Sequence, residues 1–98
     1  MDEERVRDAL RFVTDPEVGV NIVDLGLVYD VAVNSDTVDI KMTMTSPTCP
    51  LHAVITRNAE NTIRAKFHAA RYVNVELVWD PIWTPTMMSQ KAKQTLGW

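Results

Sequence analysis

Cys49 is the single cysteine of this 98-residue chain, and it sits in Thr45-Ser46-Pro47-Thr48-Cys49-Pro50, a proline-bounded turn between a stretch with strand character and one with helix character. Proline has no backbone N–H and a φ near the helical value, so Pro50 suits the first helical position and makes Cys49 the expected N-cap. A sulfur there would face the free N–H groups of Leu51 and His52 and the positive end of the helix dipole, both of which favour thiolate over thiol. The thiolate is the nucleophile and the metal ligand, so the position predicts a reactive or metal-ligating sulfur. Free cysteine is also among the most buried residue types, and a small buried hydrophobe is the alternative that the chain leaves open.

Several residues could join that sulfur. Asp15, Glu17 and Asp24 lie in the loop region entering the sheet, and Thr45 and Ser46 share the turn with Cys49. If the loop folds against the turn, carboxylates and hydroxyls surround the sulfur in a shallow pocket. Each also has an ordinary role: Asp15 in an Asx turn, Glu17 solvated, Asp24 as a cap, Thr45 and Ser46 bonding their own backbone. His52, one helical turn after Cys49, could act as its base or as a second ligand, or could point to solvent from the first turn. His68 places a favourable charge at the far end of the same helix. Of the tryptophans, Trp79 belongs to a strand face and Trp98 packs the terminus, whereas Trp83, in a proline-flanked loop, is the candidate anchor for a partner.

The elements that must position these residues follow from periodicity. Asp2 caps a first helix with Glu3 and Glu4 in its opening turn, and Val6, Ala9, Leu10 and Val13 share one face. Pro16 should stop that helix at Thr14. A loop over 15–21 and a short turn or helical segment over 22–28 follow, with Gly26 marking a bend or a close backbone approach. From Val28 the period becomes two: Tyr29, Val31 and Val33 face one side, Asn34-Ser35-Asp36 turns, and Val38, Ile40, Met42 and Met44 return. The methionines read as core filler on the apolar side of a strand. Leu51, Val54, Ile55, Ala59, Ile63 and Phe67 mark a second helix of four or five turns. A third strand, Tyr72 to Trp79, should lie parallel to the second through a right-handed crossover, its place in the sheet order left open. Thr86 or Ser89 opens a short last helix that Gly97 ends. The expected fold is α+β: one domain over residues 1–98, in two layers, helix, hairpin, helix, strand, with a three-stranded mixed sheet and a short C-terminal helix.

Composition narrows the function classes. The net charge is −3 without a Lys/Arg cluster, which argues against nucleic acid as a partner. No apolar run approaches the ~18–20 residues of a bilayer span, so the chain reads as soluble, without a membrane partner. The charged N-terminus does not look like a signal peptide and one cysteine makes no intrachain disulfide, so the expected location is the reducing cytoplasm. At this length a folded domain buries somewhat over ~60% of its unfolded surface, enough for a core without staples.

Four separated motifs, in order, carry a family likeness over nearly the whole chain. They are Asp15-Pro16-Glu17 with Val23-Asp24-Leu25-Gly26-Leu27-Val28-Tyr29-Asp30; Thr43-Met44-Thr45-Ser46-Pro47-Thr48-Cys49-Pro50; Val78-Trp79-Asp80-Pro81-Ile82-Trp83; and Leu96-Gly97-Trp98. Together they resemble the small iron-sulfur assembly domains of the PaaD and SufT type. The resemblance implies the assembly-domain fold and a role in maturing or delivering iron-sulfur clusters to client apoproteins, alongside other assembly proteins. It implies a site of Cys49, Thr45, Ser46, Asp15 and Glu17, with Asp24 helping to shape it. His52 stands where relatives commonly have a small or apolar residue, so its role is not inherited. The chain lacks the cysteine-bearing C-terminal extension of PaaD proteins that serve ring-oxygenating complexes, which favours the SufT-like branch.

Clusters are normally held by four thiolates, occasionally with histidine, so one cysteine cannot retain a cluster alone. Either two subunits, as in a homodimer, and additional ligands share a transient cluster, or Cys49 acts at a partner's site during transfer. This reading makes the protein an assembly factor rather than an enzyme. The alternatives are an adaptor without a ligand, recruiting partners through the Trp83 loop and the exposed sheet edge, and a hydrolase using Cys49 and His52.

Overall fold

The computed structural model describes residues 2–45 and 52–97. Helix α1 spans Glu3–Leu10, strands β1 and β2 span Val28–Asn34 and Thr37–Met42, helix α2 spans His52–Lys66, strand β3 spans Tyr72–Leu77, and helix α3 spans Gln90–Leu96 after a single 3-10 turn at Pro85–Met87. The sheet order is β1-β2-β3, antiparallel in the hairpin and parallel between β2 and β3. Val6, Ala9 and Leu10 of α1 and Ile55, Ala59 and Ile63 of α2 meet Val31, Val38, Ile40, Met42 and Val73 of the sheet in one core. The expected α+β layering and the mixed sheet are therefore both present.

Asp2 caps α1, its carboxylate accepting the Arg5 N–H at 2.8 Å. The α-helix ends at Leu10, earlier than the expected Thr14. Phe12 and Val13 continue it in tighter form, donating to the carbonyls three residues back, which keeps Val13 in the core. Thr14 instead bridges to Asn21 across the loop.

Strict alternation fails in β1. Val28 pairs with Met42 and Asp30 with Lys41, so Tyr29 is an extra residue, a β-bulge. The bulge lets Val28 and Val31, three apart, both reach the core and turns Tyr29 away from the face expected for it. The hairpin closes through a two-residue loop, Ser35-Asp36, with Ser35 at a φ of +53°.

Two further expectations are corrected. Val54, assigned to the buried face of α2, is 48% exposed, because Ile55, Ala59 and Ile63 already form the packed stripe. Strand β3 ends at Leu77, with only the Val78 N–H continuing the pairing to Met42, so Trp79 is not on a strand face. Pro81, which cannot donate to a ladder, follows two residues later. Met42 and Met44 are buried core residues, and Ser89 caps α3, accepting the Ala92 N–H at 3.1 Å, with Gly97 left-handed at the other end. His68 lies exposed just past the end of α2. Among the described residues no helix is long and apolar enough to cross a membrane.

Candidate functional site

The loop of residues 15–21 is built by Asp15. Its carboxylate accepts the Glu17 N–H at 2.9 Å, its carbonyl accepts the N–H groups of Val18 and Gly19, and its own N–H donates to Val20. Asp15 is only 1% exposed, whereas Glu17 is open to solvent. The Asx turn foreseen for Asp15 is therefore real, and it presents Glu17 at the surface while holding a carboxylate inside.

The next segment is organised by Asn21, not by Asp24. Asn21 Oδ1 accepts the N–H groups of Val23 and Asp24 at 3.1 and 2.9 Å, and its Nδ2 donates to Asp24 Oδ2 at 2.6 Å. The turn closes when Leu27 donates to Ile22 and left-handed Gly26 donates to Val23, the pairing of a Schellman end. A Cβ on Gly26 would overlap the Met87 carbonyl, so both readings of this glycine, bend and close approach, hold at once.

This turn anchors the C-terminal segment. The Ser89 N–H donates to the Asp24 carbonyl at 2.7 Å, and Trp83 Nε1 donates to the Leu25 carbonyl at 2.6 Å. Trp83, half-buried, then forms a wall of an apolar cavity of about 250 Å³ together with Met44, Thr45, Trp79 and Ile82. Asp24 opens elsewhere, onto a polar groove of about 280 Å³ with Arg11, Lys91 and Thr95. Among the described residues the two hollows share no lining side chain. Asp24 thus reaches the Thr45 cavity only through the backbone of its turn.

Tyr29 braces the same segment from the bulge, its hydroxyl donating to the Pro81 carbonyl at 2.8 Å, with Met87 Sδ 3.5 Å away. Burial raises its phenol above the ordinary value; the neighbouring Thr43 hydroxyl works against that shift and the Asp80 carboxylate adds to it. Thr43 Oγ1 is itself buried without a hydrogen-bond partner of good geometry among the described residues.

Ser46 and Cys49 lie outside the described residues, as do the expected cap at Cys49, Pro50 at the first helical position, Leu51 of the apolar stripe and the packing of Trp98. His52, at the described start of α2, does not simply face solvent: its Nδ1 is buried and has no hydrogen-bond partner among the described residues. Among the described residues, no group of three or more His, Cys, Asp or Glu side chains comes together to hold a metal ion.

The residues that the sequence reading missed are Trp79 and Ile82. They are 40% and 78% exposed and flank the cavity that Thr45 lines. The signal was present in Asp80-Pro81, which ends strand pairing and so releases Trp79 from alternation.

Residues 3–77 match the profile of a family described as iron-sulfur cluster assembly protein. The chain is 43% identical over 96 residues to the Fe-S protein maturation auxiliary factor YitW of Bacillus subtilis, covering 97% of this chain and 93% of that protein. It is also 43% identical over 86 residues to the Fe-S protein maturation auxiliary factor SufT of Staphylococcus aureus, covering 87% and 97% of the two chains. Its fold superposes on the crystal structure of a domain of unknown function from Bacillus anthracis with a TM-score of 0.93 at 40% identity, covering 97% of this chain and 91% of that one.

Proposed function

This chain belongs to the iron-sulfur cluster assembly protein family, and from that premise we propose that it is an auxiliary factor in the maturation of iron-sulfur proteins, with the cluster as cargo. The observation that carries the reading is similarity along nearly the full length to two maturation factors. The donor set sets the form of the role. One cysteine in the chain, and no gathering of three ligating side chains among the described residues, is too little for a resident cluster, which normally takes four thiolates. The remaining ligands must come from a partner, which is a client apoprotein, another assembly protein or a second copy of this chain.

In this reading Cys49 is the contact residue, with Thr45 and Ser46 in its own turn and Asp15 and Glu17 from the loop of residues 15–21. Asp24, held by Asn21, belongs to the turn that fixes Trp83, and Trp83 walls the surface that receives partners. The protein works as a factor rather than an enzyme, in the cytoplasm, where a lone thiol stays reduced.

Anaerobic reconstitution with ferrous iron and sulfide, followed by visible absorption and activation of an apo-aconitase, tests it. Cys49→Ser should lose both the chromophore and the activation. Equal activation by wild type and Cys49→Ser removes the thiol from the function. A second reading, an adaptor without thiol chemistry, rests on the exposure of Trp79 and Ile82 and expects the reverse pattern.

A further inference from the structure

Two large apolar side chains stand exposed on either side of one acidic residue in the segment Trp79-Asp80-Pro81-Ile82. Behind them lies the cavity of about 250 Å³ walled by Met44, Thr45 and Trp83, with room for one aliphatic or aromatic side chain. Burying such a side chain contributes roughly 1.5–3 kcal/mol, and the exposed indole of Trp79 offers a face to a cation. Asp80 is exposed and takes part in none of the ion pairs among the described residues.

Charge decides between the occupants. A second copy, docked about a two-fold axis, would set this patch against itself and bring Asp80 toward the Asp80 of its copy. A different protein that offers a basic group beside an apolar one meets both the cavity and the carboxylate.

We propose that Trp79, Asp80 and Ile82 form a transient docking site for a client protein segment that presents an aliphatic or aromatic side chain next to an arginine or lysine. This deepens the function proposed above and rests on it for the identity of the partner. Thr45, which lines the cavity, precedes Cys49 by four residues in the chain.

The test is a random dodecapeptide phage library selected on the full 98-residue chain and counter-selected on Ile82→Asp. Surviving peptides should pair an apolar residue with Arg or Lys within two positions. By fluorescence polarisation their Kd should weaken about tenfold in Ile82→Asp and roughly fivefold in Asp80→Lys. Binding should weaken with salt in the wild type and much less so in Asp80→Asn. Circular dichroism melts establish that each variant is folded, and Ile82→Ala serves should Ile82→Asp not fold. No surviving peptide, survivors without a basic residue, or an unchanged Kd in Asp80→Lys overturns the proposal. Cys49→Ser should bind the peptides like wild type. Docking that persists while Cys49→Ser still activates clients leaves the site standing and removes the thiol reading, whereas loss of docking alone does the opposite.

Discussion

Asp15 is buried and Tyr29 half-buried, and each has a backbone partner, the Glu17 N–H for the first and the Pro81 carbonyl for the second. For Tyr29 the partial desolvation has a pH consequence. Its folded phenol titrates above the ordinary value of 10.0, so near that pH the folded state holds the proton more tightly than the unfolded chain. The contribution is therefore fully present below about pH 10 and is lost as pH rises through the folded value. Tyr29→Phe should cost about 0.5–1.5 kcal/mol at pH 8, the net worth of its hydrogen bond. The gap between the two melts should narrow above pH 10; thermal unfolding at pH 8 and pH 10.5 checks both statements, and a gap that widens contradicts the assignment.

At the scale of elements, the turn after Asn21 matters more than any helix, because three separate parts of the chain meet on it. Its carbonyls at Asp24 and Leu25 receive Ser89 and Trp83, and its Gly26 lets the Met87 backbone approach closely. Gly26→Ala would place a methyl into the Met87 carbonyl on a residue held at a φ of +79°. The expected loss exceeds the ~1 kcal/mol of an ordinary strained glycine replacement, since backbone must also shift. Urea unfolding should show a lowered midpoint, with weakened docking at the Trp79–Ile82 patch as a side effect. Gly97→Ala, in open space at the end of α3, is the control for positive φ without a clash.

Across the whole molecule, the last stretch of chain closes the core rather than hanging from it. Met88 and Ala92 are buried with the sheet and helix residues, and Trp83 and Leu96 pack against that core. Ending the chain after Asp80 removes all four from that core. The loss should be several kcal/mol by buried area, a large share of the ~5–15 kcal/mol available to a domain of this size. Equilibrium urea unfolding should show a strongly reduced or absent cooperative transition in the shortened chain.

Local patterns carried most of the architecture. The Asp2 and Ser89 caps, the Met42 and Met44 packing and the Gly97 stop follow from neighbours a few residues apart, where propensity and period act directly, and the parallel β2–β3 pairing follows from the strand-helix-strand order. The Tyr29 bulge, the exposure of Trp79 and Val54, and the separation of Asp24 from the Thr45 cavity do not. Those depend on tertiary packing: Ile55, Ala59 and Ile63 form the stripe of α2 that meets the core, and Val28 reaches the core only with the extra residue of the bulge. Residue order therefore settles caps, periods and strand direction, while long-range competition for the same buried space settles which side chains are left facing a partner.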